Sequence, residues 1–454
     1  METSLRARAF LALALLLSVP AFAEAPAPRL LASGLPAYAA PVDPFASPEL
    51  PPEPSGSIAL ADALAAALAR SPALAAFAWE VRAREARLLQ AGARPNPELR
   101  VELEDFAGTG PVSGFDAAQT TLSLSQLLEL GGKRERRRES AALGRDLAGW
   151  DYEAARLAVI TRTADAFVAV LALQQHLAVA ADDRRISSEA VRAVEATVRA
   201  GAVSPVEAGR ARVALERAAI ERAQLAHRLE SARVALAAQW GEGEARFERA
   251  VGDLSAMAKP PPLHALLPLA DESPELARFA AELAERRAAL AAEEAERTPD
   301  VRLGLGGRHY ADGGDGALVA ELALPLPLFD RREGAVLEAR YRLRRAESEQ
   351  RAAVGTVGST LRSTHGRLLR AYEEALALRE RALPEAERVF AGAAQAWRSG
   401  LLRYVEVLDA QRTLFVLRDE EIEALAEYHR ARAELEGLIG RPLDAIALAP
   451  EARP

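Results

Sequence analysis

The sequence predicts a mainly α-helical protein with four amphipathic β-strands, built from two copies of a helix–β-hairpin–long helix–turn–helix unit. The composition indicates long packed helices, because the apolar half is dominated by Ala and Leu while aromatics are only 5% and charged residues 27%. Two long charged runs without early turn signals follow Gly131-Gly132 and Asp330. Several segments recur at an offset of about 200 residues, which indicates internal duplication.

The first 57 residues lie outside the repeats. Arg6 and Arg8 precede an apolar run over 9–19, and Ala21-Phe22-Ala23 provides small residues at the cleavage positions, so 1–23 is predicted to be a signal peptide. The apolar run is shorter than the ~20 residues that a membrane-spanning helix needs. Residues 24–57 are rich in Pro and Ala and are predicted to form an extended tether.

The first repeat is predicted over 58–240. Helical periodicity starts near Ile58, and Ser71-Pro72 is expected to separate two helices because Pro suits the first helical turn. Period-two alternation on both sides of a Gly/Pro loop predicts a hairpin over about 98–130. A helix on the order of 100 Å follows from Lys133, and Gly201 with Pro205 marks its turn into a returning helix.

The second repeat is predicted over 273–441, after a connector over 241–272 and before a tail over 442–454. "SPALAAFAWEV" at 71 matches "SPELARFAAEL" at 273, and "LSQLLELGGKRE" at 124 matches "LALPLPLFDRRE" at 322. The second hairpin is therefore placed at about 299–328. Pro384 should kink the second long helix.

The strands have the length and the alternation of tilted membrane strands. The residues expected to face lipid are Leu99, Val101, Leu103, Leu122, Leu124, Val301, Leu303, Leu305, Leu318, Leu322 and Leu324. Those expected to face water are Arg100, Glu102, Ser123, Arg302 and Glu321. The alternative is a small sheet packed on helices. Since four strands cannot close a barrel and lipid forbids an open edge, the chain should oligomerise, and three copies would supply twelve strands.

Catalytic, cofactor and metal sites are not predicted. The six His residues are scattered without a ligand spacing, and the absence of Cys excludes disulfides, thiolate metal sites and a lipidated cysteine. The cluster from Lys133 to Arg138 is the only candidate for nucleic-acid contact. It is interpreted as a solvated helix start, so no nucleic-acid partner is predicted.

With its duplicated unit and motifs such as "RPNPELRVELEDFAGTGP" and "LSLSQLLELGGKR", the chain resembles the TolC family of outer-membrane efflux channels, most closely its cobalt–zinc–cadmium branch. The resemblance implies a homotrimer with a twelve-stranded outer-membrane β-barrel and a periplasmic α-helical barrel. It also implies a periplasmic adaptor and an inner-membrane pump of the resistance–nodulation–division class as partners. The duct would be passive, and divalent heavy-metal cations are its expected cargo.

The resemblance also assigns roles to the two helix turns. Glu207, Glu406 and Asp409 fall where relatives constrict the periplasmic entrance, although ordinary solvated carboxylates would show the same spacing. The expected adaptor-docking residues are Gly201, Val203, Gly400, Leu401 and Leu402. Trp397 and Leu402 replace the Tyr and Arg of the family's gate. Three alternatives remain open: a drug exporter of the same family, a periplasmic adaptor, and a structural coiled-coil protein.

Overall fold

The computed structural model describes residues 50–446, together with residue 38 and residues 40–45. The predicted signal peptide and most of the tether therefore lie outside the described residues. The first half contains β1 (Gly56–Ile58), α1 (Leu60–Arg70), α2 (Pro72–Ala91), β2 (Glu98–Glu104), β3 (Gln119–Leu128), α3 (Lys133–Arg199), α4 (Pro205–Ala237) and β4 (Phe247–Ala250). The second half contains α5 (Leu263–Asp271), α6 (Pro274–Ala295), β5 (Val301–Tyr310), β6 (Gly316–Ala323), α7 (Glu333–Ala377), α8 (Leu383–Arg398) and α9 (Tyr404–Ile439).

The duplicated order of helices and hairpins confirms the predicted fold class. In each half, a shorter helix leads into a hairpin, a long helix follows, and a returning helix packs beside it. At 67 residues, α3 is about 100 Å long, and α2 and α4 both pack along it. Ser71 separates α1 from α2 as expected, with a bend of 43° between the two helices.

The second long helix is interrupted where Pro384 predicts an interruption. A π-helical turn over Leu378–Ala382 separates α7 from α8, and Pro384 is the second residue of α8. Because Pro has no backbone N–H, it cannot donate to the preceding turn, and the wider turn before it accommodates this loss. The first repeat has no such interruption in α3.

The four hairpin strands form one antiparallel sheet in the order β2-β3-β5-β6. The two hairpins therefore join at β3 and β5, where Leu124 lies opposite Leu305 and Ser123 opposite Gly306. This pairing leaves β2 and β6 as the two edges of the sheet. Each edge strand exposes a row of unpaired backbone groups within the described chain.

The helical core consists of apolar clusters spread along the length of the packed helices. The largest contains Phe167, Trp240 and Phe247, and another surrounds Leu361, Tyr428 and Leu435. In the described part of the chain, α3 and the bent α1–α2 pair are long and apolar enough to cross a membrane by composition. Since 44% of the apolar window of α3 is buried within the fold, this helix is explained by packing between helices.

Three features of the fold differ from the sequence-based expectations. Ile58 lies in β1, which pairs in parallel with β4, and the first helix begins at Leu60. The predicted loose connector contains β4 and the helix α5. Lys133 is only 4% exposed, and its Nζ lies 2.8 Å from Asp300 Oδ1. The interpretation of Lys133 as part of a solvated helix start is therefore wrong, because this ammonium is a buried ion-pair link between the repeats.

Candidate functional site

One face of the sheet is apolar across all four strands, and we call it the leucine face. The register places Leu99 beside Leu124, Leu124 beside Leu305, and Leu303 beside Leu322. Its exposed apolar members are Leu99, Val101, Leu103, Leu122, Leu124, Leu303, Leu305, Leu318 and Leu322. Val301 shares this face at the end of β5 and is partly buried. Leu324 is exposed but follows the end of β6, because Pro325 and Pro327 cannot donate to a strand ladder.

The opposite face of the sheet is polar and bonded across strands. Arg302 lies 2.5 Å from Glu98, Arg308 lies 3.1 Å from Glu104, and Arg100 lies 3.6 Å from Glu321. Arg308 also donates to Thr121 Oγ1 at 2.8 Å. The structure thus places Arg100, Glu102, Ser123, Arg302 and Glu321 on the face opposite to the leucine face.

Small residues bring β3 and β5 close together on this polar face. A Cβ atom on Gly306 would lie 2.5 Å from the Leu122 carbonyl oxygen and 2.7 Å from Ser123 Cβ. The neighbouring Gly307 faces the other way, and a Cβ atom there would meet nothing within 4 Å. Gly306 is therefore required by the close approach of the two hairpins, whereas Gly307 is not.

The two helix turns lie at the end of the packed helices that is opposite to the sheet, and both have the same cap geometry. Gly201 and Gly400 have φ of +74° and +76°. In each turn, the glycine and the residue after it donate to carbonyls of the preceding helix: Ala202 N to Thr197 O at 3.1 Å, and Leu401 N to Ala396 O at 2.9 Å. This is the Schellman arrangement, in which glycine supplies the left-handed residue. The two turns therefore confirm the duplication at atomic detail.

An aromatic pair links α8 to α9 at the second turn, and the apolar cluster around it includes residues of the helices that form the first turn. The ring centroids of Trp397 and Tyr404 lie 5.7 Å apart, in a cluster that includes Val194, Ala211 and Leu408. Burial raises the pKa of Tyr404 to about 12, and the nearby charge of Glu207 adds to the shift. Trp397 thus packs against the apolar tip cluster.

The three predicted constriction carboxylates have unequal surroundings. Glu207 Oε1 lies 3.2 Å from Arg210, and its other oxygen is buried. Glu406 accepts a hydrogen bond of 2.6 Å from the Arg403 backbone N–H, so it caps the start of α9. Asp409 is exposed, and its carboxylate has no partner among the described residues. Asp409 is therefore the carboxylate of the three most available to an ion in water.

Arginines outnumber the carboxylates near both turns. Residues 195–212 carry three Arg and two Glu, and residues 398–412 carry three Arg, one Glu and one Asp. Glu195 is also paired, with its Oε1 2.6 Å from Arg212. The field near each turn is thus set by the few unpaired groups, since paired charges cancel at distances beyond their separation.

The predicted docking residues differ in exposure. Gly201, Gly400 and Leu402 are exposed, and Leu401 is 79% exposed. Val203 is partly buried. The neighbouring Val206 is 61% exposed and was missed, because the sequence does not reveal which side of the first turn of α4 packs inward.

A polar network between α3 and α9 was also missed. Gln411 donates to Asp183 Oδ1 at 2.6 Å and to Ser187 Oγ at 3.0 Å, and His176 Nδ1 lies 2.6 Å from Asp419 Oδ1. Burial raises the pKa of Asp183, while the hydrogen bond from Gln411 opposes that shift. These residues lie more than 200 positions apart, so no local pattern could have paired them. Residues 50–446 contain no group of three His, Asp or Glu side chains suited to hold a metal ion.

A sheet with one apolar face and two open edges, carried at one end of paired helices about 100 Å long, is the architecture of a subunit of an oligomeric membrane duct. The chain belongs to the outer membrane efflux protein family, whose sequence profile matches residues 63–242 and 268–441. Family membership excludes the alternatives of a periplasmic adaptor and a structural coiled-coil protein.

Individual relatives are similar over most of their length. The cobalt-zinc-cadmium resistance protein CzcC of Cupriavidus metallidurans is 31% identical over 394 residues, which cover 87% of this chain and 93% of the relative. The nickel and cobalt resistance protein CnrC of the same organism is 30% identical over 330 residues, covering 71% of this chain and 74% of the relative.

Solved structures share the fold at lower sequence identity. CusC aligns with a TM-score of 0.70 at 17% identity and covers 84% of this chain and 92% of its own. The outer membrane protein VceC of Vibrio cholerae aligns with a TM-score of 0.71 at 18% identity and covers 85% of this chain and 96% of its own. These two likenesses concern the fold alone.

Proposed function

We propose that three copies of this chain form an outer-membrane exit duct that receives divalent heavy-metal cations from a periplasmic adaptor and an inner-membrane pump of the resistance–nodulation–division class. The duct is inferred from the four-stranded sheet, which has a continuous leucine face and two unpaired edges. In lipid, each unpaired backbone group costs several kcal/mol, so β6 of one copy must pair with β2 of the next.

The cargo is inferred from relatives. The names of CzcC and CnrC refer to resistance to cobalt, zinc and cadmium and to nickel and cobalt. A duct wall lined by ion-paired Arg and Glu on the polar face of the sheet suits hydrated ions better than apolar compounds. We propose that the duct is passive. The inner-membrane pump would supply the energy for export, and the duct would supply the path.

The N-terminus is part of the proposal. Cleavage after Ala23 would leave a mature chain starting at Glu24 without a lipid anchor, so the barrel alone would hold the protein in the membrane. Mass spectrometry of the protein isolated from outer membranes tests this point, and a retained Met1 or an attached acyl chain contradicts it.

The entrance is proposed to lie at the two turns, with Glu207, Glu406 and Asp409 lining it and Asp409 having the largest effect on passing ions. Leu401, Leu402 and the two turn glycines, with Val203 beside them, would contact the adaptor. Asp409 has no ion-pair partner in the described part of the chain, whereas Glu207 is paired with Arg210 and Glu406 caps a helix. Removing the charge of Asp409 should therefore change ion selectivity more than removing either glutamate charge.

Planar bilayers test both the duct and its entrance. The wild-type protein should conduct, and a KCl gradient should give a zero-current potential that reports cation preference. Asp409→Asn should move this potential toward zero, most clearly at low salt because the Debye length is then longest. Glu406→Gln and Glu207→Gln should change it less, and Glu216→Gln, an exposed carboxylate on α4, should leave it unchanged. An Asp409→Asn variant that conducts with an unchanged potential contradicts the entrance assignment.

Growth assays test the cargo. When expressed with a heavy-metal pump and its adaptor in a strain lacking their own duct, the chain should restore growth in zinc, cobalt or cadmium. Restored growth in dyes but not in metals contradicts the proposed cargo and supports the drug-export alternative.

A further inference from the structure

An arginine-lined cleft lies where the helices approach the sheet. It has a volume of about 530 Å³ and opens between α2, α3 and α6. Arg84, Arg87, Arg94 and Arg137 line it, with Glu285 as the lining carboxylate. The other lining residues are mostly small, so the guanidinium groups border an open space that can admit a ligand group.

Two of these arginines form no ion pair with any described residue. Arg84 lies 2.6 Å from Glu80 and Arg137 lies 2.5 Å from Glu129, so their charges are paired. Arg87 and Arg94 are exposed and have no ion-pair partner among the described residues.

Glu285 offsets the charge of the cleft only in part. Its carboxylate lies 3.3 Å from Arg286, and burial raises its pKa, while the charges of Arg286, Arg84 and Arg87 oppose that rise. One carboxylate faces four guanidinium groups in this lining. The cleft thus has excess positive charge. A ligand that fits it should be an anion.

The cleft adjoins the leucine face. A second cleft, of about 440 Å³, shares Arg94 and Pro95 with the first and is lined by the end of β3 and the start of α3, with Glu129 and Glu135 among the lining residues. Because side chains of β3 alternate, Gln126 and Leu128 of this lining lie on the same face as Leu122 and Leu124. Arg94 therefore lies beside the end of the leucine face.

The position of the cleft indicates which anion binds there. This step rests on the membrane insertion proposed above. If acyl chains cover the leucine face, the next layer toward the helices is the layer of phospholipid headgroups, which carry phosphate. We propose that the cleft binds the phosphate group of an anionic phospholipid in the periplasmic leaflet of the outer membrane, with Arg87 and Arg94 as its principal contacts. Guanidinium groups suit this role, since they can donate two parallel hydrogen bonds to phosphate oxygens.

A second copy of the chain is the competing occupant of the cleft. The edge helix α7 carries the carboxylates Glu338, Glu347 and Glu349, and each pairs with an arginine of the same helix, at 2.5, 2.8 and 2.8 Å. Glu333, at the start of α7, is exposed and has no ion-pair partner among the described residues, so a neighbouring copy would bring one free carboxylate near the sheet. Subunit loss in the experiment below distinguishes this contact from a lipid headgroup.

Native mass spectrometry of the purified oligomer tests the proposal. The probes are phosphatidylglycerol, phosphatidylcholine and inorganic phosphate, each added to detergent-solubilised protein. The wild-type protein should retain phosphatidylglycerol in preference to phosphatidylcholine, and less of it as ionic strength rises. The double variant Arg87→Gln/Arg94→Gln should bind phosphatidylglycerol roughly tenfold or more weakly, because each arginine beside an anionic lipid surface contributes measurably to binding.

Two further variants serve as controls. Arg222→Gln/Arg228→Gln removes two exposed, unpaired arginines of α4 and should retain the lipid as the wild type does. Arg87→Lys/Arg94→Lys keeps the charge and should lose less binding than the glutamine pair. If the glutamine pair folds poorly, Arg94→Gln alone should still show reduced retention, because Arg94 precedes the first barrel strand and lies outside the helices.

Three outcomes would overturn the proposal. Phosphatidylglycerol retention could be equal in the wild type and the glutamine pair. Inorganic phosphate could bind in an arginine-dependent way while the lipid does not, which would exclude the lipid as the source of the phosphate. The glutamine pair could instead lose subunits without losing lipid, which would make the cleft a contact between subunits. Bilayer conductance of the wild type separates these results from a failure of the duct itself.

Discussion

The two repeats share their turns and differ in the helix that leads to each turn. Gly201 and Gly400 adopt the same left-handed conformation and end their helices with the same hydrogen bonds. The first long helix runs for 67 residues without a break, whereas the second consists of 45 residues, a π-turn and a further 16 residues. Local sequence thus fixes the turns in both copies, and a single proline distinguishes the helices.

The hairpins differ in the same way. The first hairpin closes through a long loop over 105–118, in which the rings of Phe106 and Phe115 stack at 5.9 Å. The second closes through 311–315, where Gly313 and Gly314 have positive φ. The strands themselves pair continuously, which shows that the sheet constrains register while the loops were free to diverge.

Substitutions at the junction between the two hairpins should destabilise the protein most. In Gly306→Ala, the new methyl group would overlap the Leu122 carbonyl of the facing strand, so the variant should lose roughly 1–3 kcal/mol of stability or fail to assemble. Gly307→Ala, one residue away on the open face, should be tolerated. Thermal unfolding of the detergent-solubilised proteins measures both, and equal melting temperatures for the two variants would contradict the close approach of β3 and β5.

Substitution of the two turn glycines tests whether the turns are equivalent, and a smaller effect is expected. Gly201→Ala and Gly400→Ala each force a side chain into the left-handed region, which costs about 1–2 kcal/mol. Hydrogen exchange at the turn amides should increase by similar factors in both variants. Gly209→Ala, inside α4, should slow exchange, because Ala favours a helix over Gly. A large effect in one turn and none in the other would show that the repeats have diverged there.

A still weaker effect is expected from a contact between the second repeat and the connector. His429 Nε2 lies 2.9 Å from the Leu254 carbonyl oxygen, and burial lowers the pKa of His429 below 6.5. The unfolded chain therefore takes up a proton at a higher pH than the folded chain does, and stability falls as pH falls below about 6.5, until the lowered pKa of the folded state is reached.

The variant His429→Gln isolates this contribution. It should flatten the pH dependence of the melting temperature between pH 6.5 and lower values. His227→Gln, on α4, is the matched control and should leave the slope unchanged. An identical slope in the wild type and in His429→Gln would rule out this histidine as the source.

Periodic features were predictable from sequence, and contacts between distant segments were not. Alternation identified the leucine face from Leu99 to Leu322, and duplication identified both turns. The strand β1 was missed because its three residues pair with β4, almost 200 positions away. The burial of Lys133 depends on Asp300 of the other repeat. The pairing of Glu207 with Arg210 is different, because it is an i,i+3 pair within α4 that local spacing could have indicated. Sequence patterns report one element at a time, so the contacts of β1 and Lys133 were not accessible.

We expect β6 of one copy to pair with β2 of the next, so that three copies close into a ring. The natural chain has no Cys, so introduced cysteines would be its only thiols. Because β2 runs away from the helices and β6 runs back toward them, three pairs should meet across the subunit boundary: Leu103→Cys with Leu318→Cys, Val101→Cys with Ala320→Cys, and Leu99→Cys with Leu322→Cys. Oxidation of membranes carrying these variants should give covalent dimers and trimers and nothing larger, with none from Leu99→Cys with Leu318→Cys, which lie at opposite ends of the strands. Equal cross-linking in the mismatched pair, a ladder beyond three subunits, or only monomers from all three matched pairs would contradict the account.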